Sequence, residues 1–160
     1  MSFFYRRVAA PLFPSILWHT SNLGVHLTFD DGPNPNATPI VLEILKSRNI
    51  RATFFLLGTN VERYPDLAQE INNQGHTIGN HSLSHRSLLL KPFLWQSHQI
   101  EETSEIILRT IGTTPRLFRP PFGRFDLGTI KAATILNLKM VMWDVDARDY
   151  TNSGVQPIIH

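Results

Sequence analysis

The feature that most constrains this chain is the order of its apolar runs. Short, nearly all-apolar runs alternate with longer stretches whose apolar residues recur at helical spacing. "GVHLTF" (24–29) reads as a buried strand ending at Asp30. "TPIVLEILKSRN" (38–49) reads as a helix, with Thr38 as its cap, Pro39 in the first turn, and Val41, Ile44 and Leu45 on one face. "RATFFLL" (51–57) is a strand, "ERYPDLAQEINNQG" (62–75) a helix closed by Gly75, and "HTIG" (76–79) a short strand. "FLWQSHQIEETSEIILRTIG" (93–112) is a long helix ended by Gly112, and "LFR" (117–119) is a strand stub. "DLGTIKAATILNL" (126–138) is a helix capped by Asp126, and "KMVMWDVD" (139–146) is a strand with an acidic end. Strands that are apolar on both faces, separated by helices, predict a parallel sheet covered by helices: an α/β barrel or a doubly wound sheet. With 160 residues, 42% of them hydrophobic, the chain is one domain's worth and can bury a sizeable core.

In either architecture ligands bind at the C-terminal ends of the strands. The polar clusters fall there: Asp30-Asp31 after the first strand, Asn80-His81 after "HTIG", Arg119 after "LF", and Asp144 with Asp146 after "KMVMW". The net charge is only +2, with no basic run and no acidic tail, so nucleic acid is not an expected partner. No apolar run reaches the roughly 18 residues of a membrane span, and the Pro-broken start is a poor secretory signal. With no cysteine, any metal must be held by His, Asp or Glu.

His81 and His85 in "HSLSH" stand four residues apart. On a helix that spacing stacks two imidazoles on one face, able to chelate one ion, and Asn80 could cap such a turn. The zinc-protease pattern H-E-x-x-H carries its base beside the first His. Here that position is Ser82, so a base and an anionic ligand must come from elsewhere. The Asp30-Asp31 pair answers both needs. Two adjacent carboxylates cannot both stay ionised and unpaired in a half-buried site. A metal neutralises one, and a second cation keeps the other anionic and ready to take a proton. Arg119, stiffened by Pro120 and Pro121, is the best second cation, since its planar fork clamps a carboxylate. Taken singly, these segments read as a solvated turn, two surface histidines and a surface arginine; together, at strand ends, they read as a site. His76 is expected to be a structural residue near that site, His19, His26 and His98 to be packed or solvated, and Trp143 to be barrel wall. Asp144 and Asp146 would line the cleft or cap a loop.

Four segments in order, "TFDDGP" (28–33), "HSLSH" (81–85), "RPPFG" (119–123) and "WDVDARDY" (143–150), resemble the successive motifs of the polysaccharide deacetylases. These are the NodB-homology domains of carbohydrate esterase family four. The resemblance implies a distorted (β/α) barrel and a divalent metal held by Asp-His-His, usually zinc, although cobalt or nickel also suits nitrogen and oxygen ligands. It implies removal of N- or O-acetyl groups from polymers such as chitin, peptidoglycan or xylan. Carried over by motif, Asp31, His81 and His85 would be the metal ligands, Asp30 the general base, and Arg119 its partner. The Phe122 N–H, beside Pro121, would help hold the oxyanion. Asp149 would tune a catalytic His, and Tyr150, where the family tends to have Trp, would be an aromatic groove wall.

The family's general acid is a His in a late Leu-x-His motif. His160 in "IIH" matches superficially, but "GVQPII" reads better as the start of a helix that should precede that motif. The expectation is an N-terminal extension over 1–22 and a deacetylase domain over 23–160 that is incomplete at its C-terminus. Such a chain would form the metal site yet deacetylate poorly or not at all, and its exposed edge would invite self-association. The family works in the cell envelope or outside the cell. Three rivals remain open: a non-haem iron oxygenase with an Asp-His-His triad, a metal-free glycosidase built on Asp30 and another carboxylate, and a glycan-binding pseudo-enzyme.

Overall fold

The computed structural model describes residues 12–19 and 24–147. Five short strands form one sheet: β1 (Thr28–Gly32), β2 (Thr53–Leu56), β3 (Thr77–Asn80), β4 (Leu117–Phe118) and β5 (Lys139–Met140). All are parallel, and their order in the sheet is their order in the chain. A doubly wound sheet reverses its strand order at a switch point; this one never does. Sequential parallel order, with helices between successive strands, is the winding of a (β/α) barrel, here an arc that does not close among the described residues.

Five helices cover one face: α1 (Thr38–Ser47), α2 (Gly58–Arg63), α3 (Pro65–Asn73), α4 (Phe93–Ile111) and α5 (Leu127–Ile135). Strand alternation decides which residues meet them. Phe54, Leu56 and Ile78 join Leu42, Leu45, Val61, Ile71, Ile106 and Ile107 in one apolar cluster. Phe118 and Met140 join Ile100, Ala132 and Ala133 in a second, which also takes Ile16 and Trp18 from residues 12–19. There Leu17 bridges Val141 in parallel, its N–H donating to Met140 and its carbonyl accepting from Met142, so this segment lies along the outer edge of β5. Burying a Phe, Leu or Ile side chain contributes about 1.5–3 kcal/mol each, so the helix-facing side of the sheet supplies most of the stability. The opposite side carries Thr28, Asp30, Phe55, Gly79 and Arg119.

Several boundaries differ from the sequence reading. The first strand starts at Thr28, where Thr53 of β2 first pairs with it; Val25 before it is 89% exposed. In α1 the cap position falls to Ala37, and Thr38 instead accepts a hydrogen bond from the Asn34 N–H through Oγ1. The buried stripe is Thr38, Leu42 and Leu45, one turn apart, and Ile44 points to solvent at 55% exposure. The helix expected over 62–75 is two: α2 ends at Arg63, and Pro65, lacking an N–H, starts α3. The long α4 ends at Gly112 in a left-handed conformation, as the glycine implied. Asp126 caps α5 in a reciprocal box with Thr129. That helix stops at Ile135, three residues short of the expected end, with Asn137 left-handed after it. Among the described residues no helix is long and apolar enough to cross a membrane.

Candidate metal centre

Successive side chains on a strand point to opposite faces, so Asp30 and Asp31 should not share a site. A β-bulge removes the conflict. Phe29 pairs with Phe54 and Gly32 with Leu56, so two aspartates stand opposite the single residue Phe55. Asp31 adopts φ 66°, a left-handed conformation in which side chain and strand direction part. The Asn60 amide, from α2, donates to the Asp31 carbonyl at 2.8 Å and holds the bulge. Gly32 then enters Pro33 through a cis peptide bond.

The two histidines lie on the loop that leaves β3, not on a helix. Ser82 and His85 both take left-handed φ values of 70° and 56°. Asn80, fully buried, holds this loop: its Nδ2 donates to the Ile100 carbonyl (2.7 Å) and Ser104 Oγ (2.9 Å) of α4, and its Oδ1 accepts from the Ser82 N–H (2.8 Å). The Gly58 and Thr59 amides at the start of α2 donate to the Ser82 and Leu83 carbonyls. Farther on, Leu90 N–H donates to Asp126, tying the loop to the N-terminus of α5. Phe122, in the 3₁₀ turn Pro121–Gly123, also has a positive φ of 60°. Of the seven described non-glycine residues with positive φ, four (Asp31, Ser82, His85 and Phe122) therefore surround one point, and backbone strain concentrates at functional sites.

At that point the ligand atoms converge. Asp31 Oδ1 lies 3.3 Å from His81 Nε2 and 3.2 Å from His85 Nε2, and the three ligand atoms all lie within 4.8 Å of one another. A tetrahedral ion with bonds of about 2.0–2.1 Å spaces its ligand atoms by about 3.3 Å. The chemistry of the donors fits as well. His81 Nδ1 is 2.7 Å from the Arg119 carbonyl, a contact only its N–H can make, so a neutral ring turns the Nε2 lone pair toward Asp31. A lone pair facing a carboxylate oxygen needs a cation or a proton between them. His81 is 2% exposed, whereas Asp31 stands 59% exposed, leaving one side of the centre open. The hydrogen bond with His81 holds the Asp31 carboxyl below its ordinary range, against burial and with the charges of both histidines adding. Burial pushes His85 below the ordinary imidazole range, against the pull of Asp31.

Asp30 stands apart from this set. Its Oδ2 is 4.0 Å from His81 Nε2, while its Oδ1 receives a 2.8 Å hydrogen bond from Arg119 Nη1. Arg119 is 2% exposed and spends its donors on Asp30, Thr28 Oγ1 (2.8 Å) and the carbonyls of Val141 and Met142 (3.3 Å each). Burial lowers its pKa and the Asp30 charge opposes that, so it stays a cation at neutral pH. Phe122 is 56% exposed, and its ring lies 4.4 Å from that of His85 at the rim. Asp149, Tyr150 and His160 lie outside the described residues.

His76 is not near the centre. It precedes β3 while His81 follows it, a separation of about 16 Å at strand rise. It is buried, accepts the Ala52 N–H through Nδ1 and packs on Phe54. His19, His26 and His98 are exposed. Sequence reasoning missed Thr28, Asn60 and Phe55. Thr28 was findable, since it stands two residues before Asp30 on the same strand face. Asn60 and Phe55 matter through tertiary contacts that leave no local signal.

A family model described as polysaccharide deacetylase matches residues 19–141. The peptidoglycan-N-acetylglucosamine deacetylase of Bacillus cereus is 44% identical over 134 residues, covering 84% of this chain and 49% of that protein. A chitooligosaccharide deacetylase of Rhizobium leguminosarum bv. trifolii is 32% identical over 135 residues, covering 84% of this chain and 63% of that one. Among solved structures, the Bc1960 peptidoglycan N-acetylglucosamine deacetylase superposes with a TM-score of 0.87 at 35% identity, over 99% of this chain and 72% of that one. The chain thus spans about half the length of the Bacillus cereus relative. Sequential parallel winding, the matched segment and these relatives agree: this chain belongs to the polysaccharide deacetylase family.

Proposed function

We propose that this domain hydrolyses acetyl groups from an N-acetylated sugar polymer, peptidoglycan or chitin, or from an O-acetylated one, using a divalent ion held by Asp31, His81 and His85. Zinc suits this nitrogen and oxygen set best, with cobalt or nickel as substitutes. One observation carries the reading. A carboxylate oxygen converges on two imidazole nitrogens at 3.2 and 3.3 Å, while the adjacent carboxylate is held back by an arginine. When bound, the ion supplies Lewis acidity, which makes water a nucleophile near neutral pH.

Asp30 takes the proton of the attacking water, and that proton must reach the sugar nitrogen or oxygen as its bond to the acetyl carbon breaks. Arg119 keeps that carboxylate anionic and fixes its direction, leaving Oδ2 as the free oxygen on the side of His81. The charge that develops on the acetyl oxygen needs a donor. In the turn after Pro121, the Gly123 and Arg124 amides donate to the Pro120 and Pro121 carbonyls, with the Phe122 N–H between them in the chain. That N–H serves as the oxyanion donor, and the exposed Phe122 ring walls the sugar site beside His85. By the motif resemblance we assign Asp149 the role of tuning carboxylate and Tyr150 that of a second aromatic wall. A glycan substrate places the protein's work in the cell envelope or outside the cell.

The experiment is acetate release from chitooligosaccharides, peptidoglycan and acetylated xylan, measured with zinc and with a chelator. Activity lost with the chelator, with His81→Ala and with Asp30→Asn supports the reading. Activity that survives the chelator points to a metal-free glycosidase, and glycan binding without acetate release by the zinc-loaded full-length gene product points to a binding module. Either outcome ends the proposal.

A further inference from the structure

We propose that Phe55 and Trp143 are positioning residues, made possible by Gly79 and Gly123, that fix the plane of the Arg119 guanidinium and through it the Asp30 carboxylate. The inference rests on reading Asp30 as the base. Phe55 is a large ring with no exposure, yet it belongs to neither helix-facing cluster. It points to the other side of the sheet, where its ring centroid is 4.1 Å from Arg119 Cζ. The Trp143 ring, from the chain after β5, reaches the same carbon at 5.5 Å.

Neither ring could sit there beside an ordinary residue. Phe55 and Gly79 are register neighbours on β2 and β3. A Cβ at Gly79 would fall 2.5 Å from Phe55 Cδ1, so the ring occupies the space a side chain would take. At the other ring, a Cβ at Gly123 would fall 2.7 Å from Trp143 Cη2. Each ring is thus braced against bare backbone on one side and meets the guanidinium on another.

The hydrogen bonds of Arg119 lie in the guanidinium plane, and those to Val141 and Met142 are long at 3.3 Å. They set direction within that plane and resist tilt only weakly. Aromatic surfaces over a planar cation resist tilt, and the interaction strengthens away from water. Tilt would swing Nη1, and with it the carboxylate oxygen that Nη1 holds. A displacement of about 1 Å at a reacting group can cost about 10²-fold in rate.

The test uses the zinc-loaded 160-residue chain and the variants Trp143→Leu and Trp143→Phe, with Asp30→Asn as reference. Two quantities are read: the rotation rate of the Arg119 guanidinium about Nε–Cζ by NMR on this chain, and kcat and KM for acetate release from chitooligosaccharides with the full-length gene product carrying the same substitutions. Trp143→Leu should speed the rotation at least tenfold and lower kcat 10- to 100-fold, with KM and zinc stoichiometry unchanged, and Trp143→Phe should restore both toward wild type. A purely structural role would lower the melting temperature and leave the rotation rate and kcat of the folded protein alone. Rotation within twofold of wild type in Trp143→Leu overturns the inference. If that variant does not fold, Phe55→Leu is judged by the same rotation criterion. Asp30→Asn with full activity would refute the base itself, leaving the rotation rate to judge the rings.

Discussion

Asn80 is the residue whose removal most directly tests how the centre is built. Asn80→Ala deletes three hydrogen bonds, of 2.7, 2.9 and 2.8 Å, from a fully buried position. The Ile100 carbonyl keeps its bond from Ser104 Oγ, so that side loses only the net value of two bonds, about 1 kcal/mol each. The Ser82 N–H loses its acceptor, and a buried orphan costs about 1–3 kcal/mol. The expected loss is about 3–5 kcal/mol, read by urea unfolding in the presence of chelator. The same variant should weaken zinc. Left-handed Ser82 and His85 cost about 1–3 kcal/mol each, and a loop freed from Asn80 sheds part of that strain. Metal binding must then impose it again, so zinc should bind about 10- to 100-fold more weakly in a chelator competition. A variant within about 0.5 kcal/mol of wild type, or one binding zinc with the wild-type Kd, would refute the claim that this side chain holds the ligand loop.

Three further outcomes follow from the same contacts. Zinc at about 100 times its Kd should stabilise the protein by about 2.7 kcal/mol, and His81→Ala should abolish that gain in a thermal melt. For the Asp126 carboxyl, burial pushes the pKa up, but hydrogen bonds from the Thr129 and Leu90 amides, with Gln96 and the Thr129 hydroxyl, outweigh it and leave the pKa below the ordinary 3.8. A lowered folded pKa is stability present above about pH 4 and lost as the carboxyl protonates. Asp126→Ala should therefore cost about 1–2 kcal/mol at pH 7, and the gap to wild type should narrow as the pH falls below about 4; a gap independent of pH would contradict the account. Leu90 is 84% exposed at φ 58°, so Leu90→Gly should raise stability by about 0.5–1 kcal/mol in urea unfolding, and a loss would mean its side chain packs usefully.

The candidate centre was legible in the sequence because strand ends are visible as the points where apolar runs meet charge. Asp30, Asp31, His81 and Arg119 all follow such runs, and the structure places all four within one site. H-x-x-x-H spacing also fits helical geometry, but the structure holds the two histidines on a loop. What overrides it is Asn80, whose amide reaches α4 about twenty residues away and holds left-handed turns that no local propensity favours. Tyr64-Pro65 splits a helix for a reason legible in the proline itself, yet Ile44 escaped the core because only the packing of α1 on the sheet decides which apolar stripe is buried.

Composition and periodicity by themselves determined the alternation of strand and helix, the parallel sheet and the absence of any thiolate ligand, since these depend on local pattern and residue type. Tertiary structure alone decided three things. It chose sequential winding over a doubly wound sheet, it laid Leu17 along the edge at Val141, and it turned Asp31 through a bulge so that adjacent carboxylates serve one site. The reason is common to all three. Pairing between segments far apart in sequence sets register and edge, and register fixes which way each side chain points.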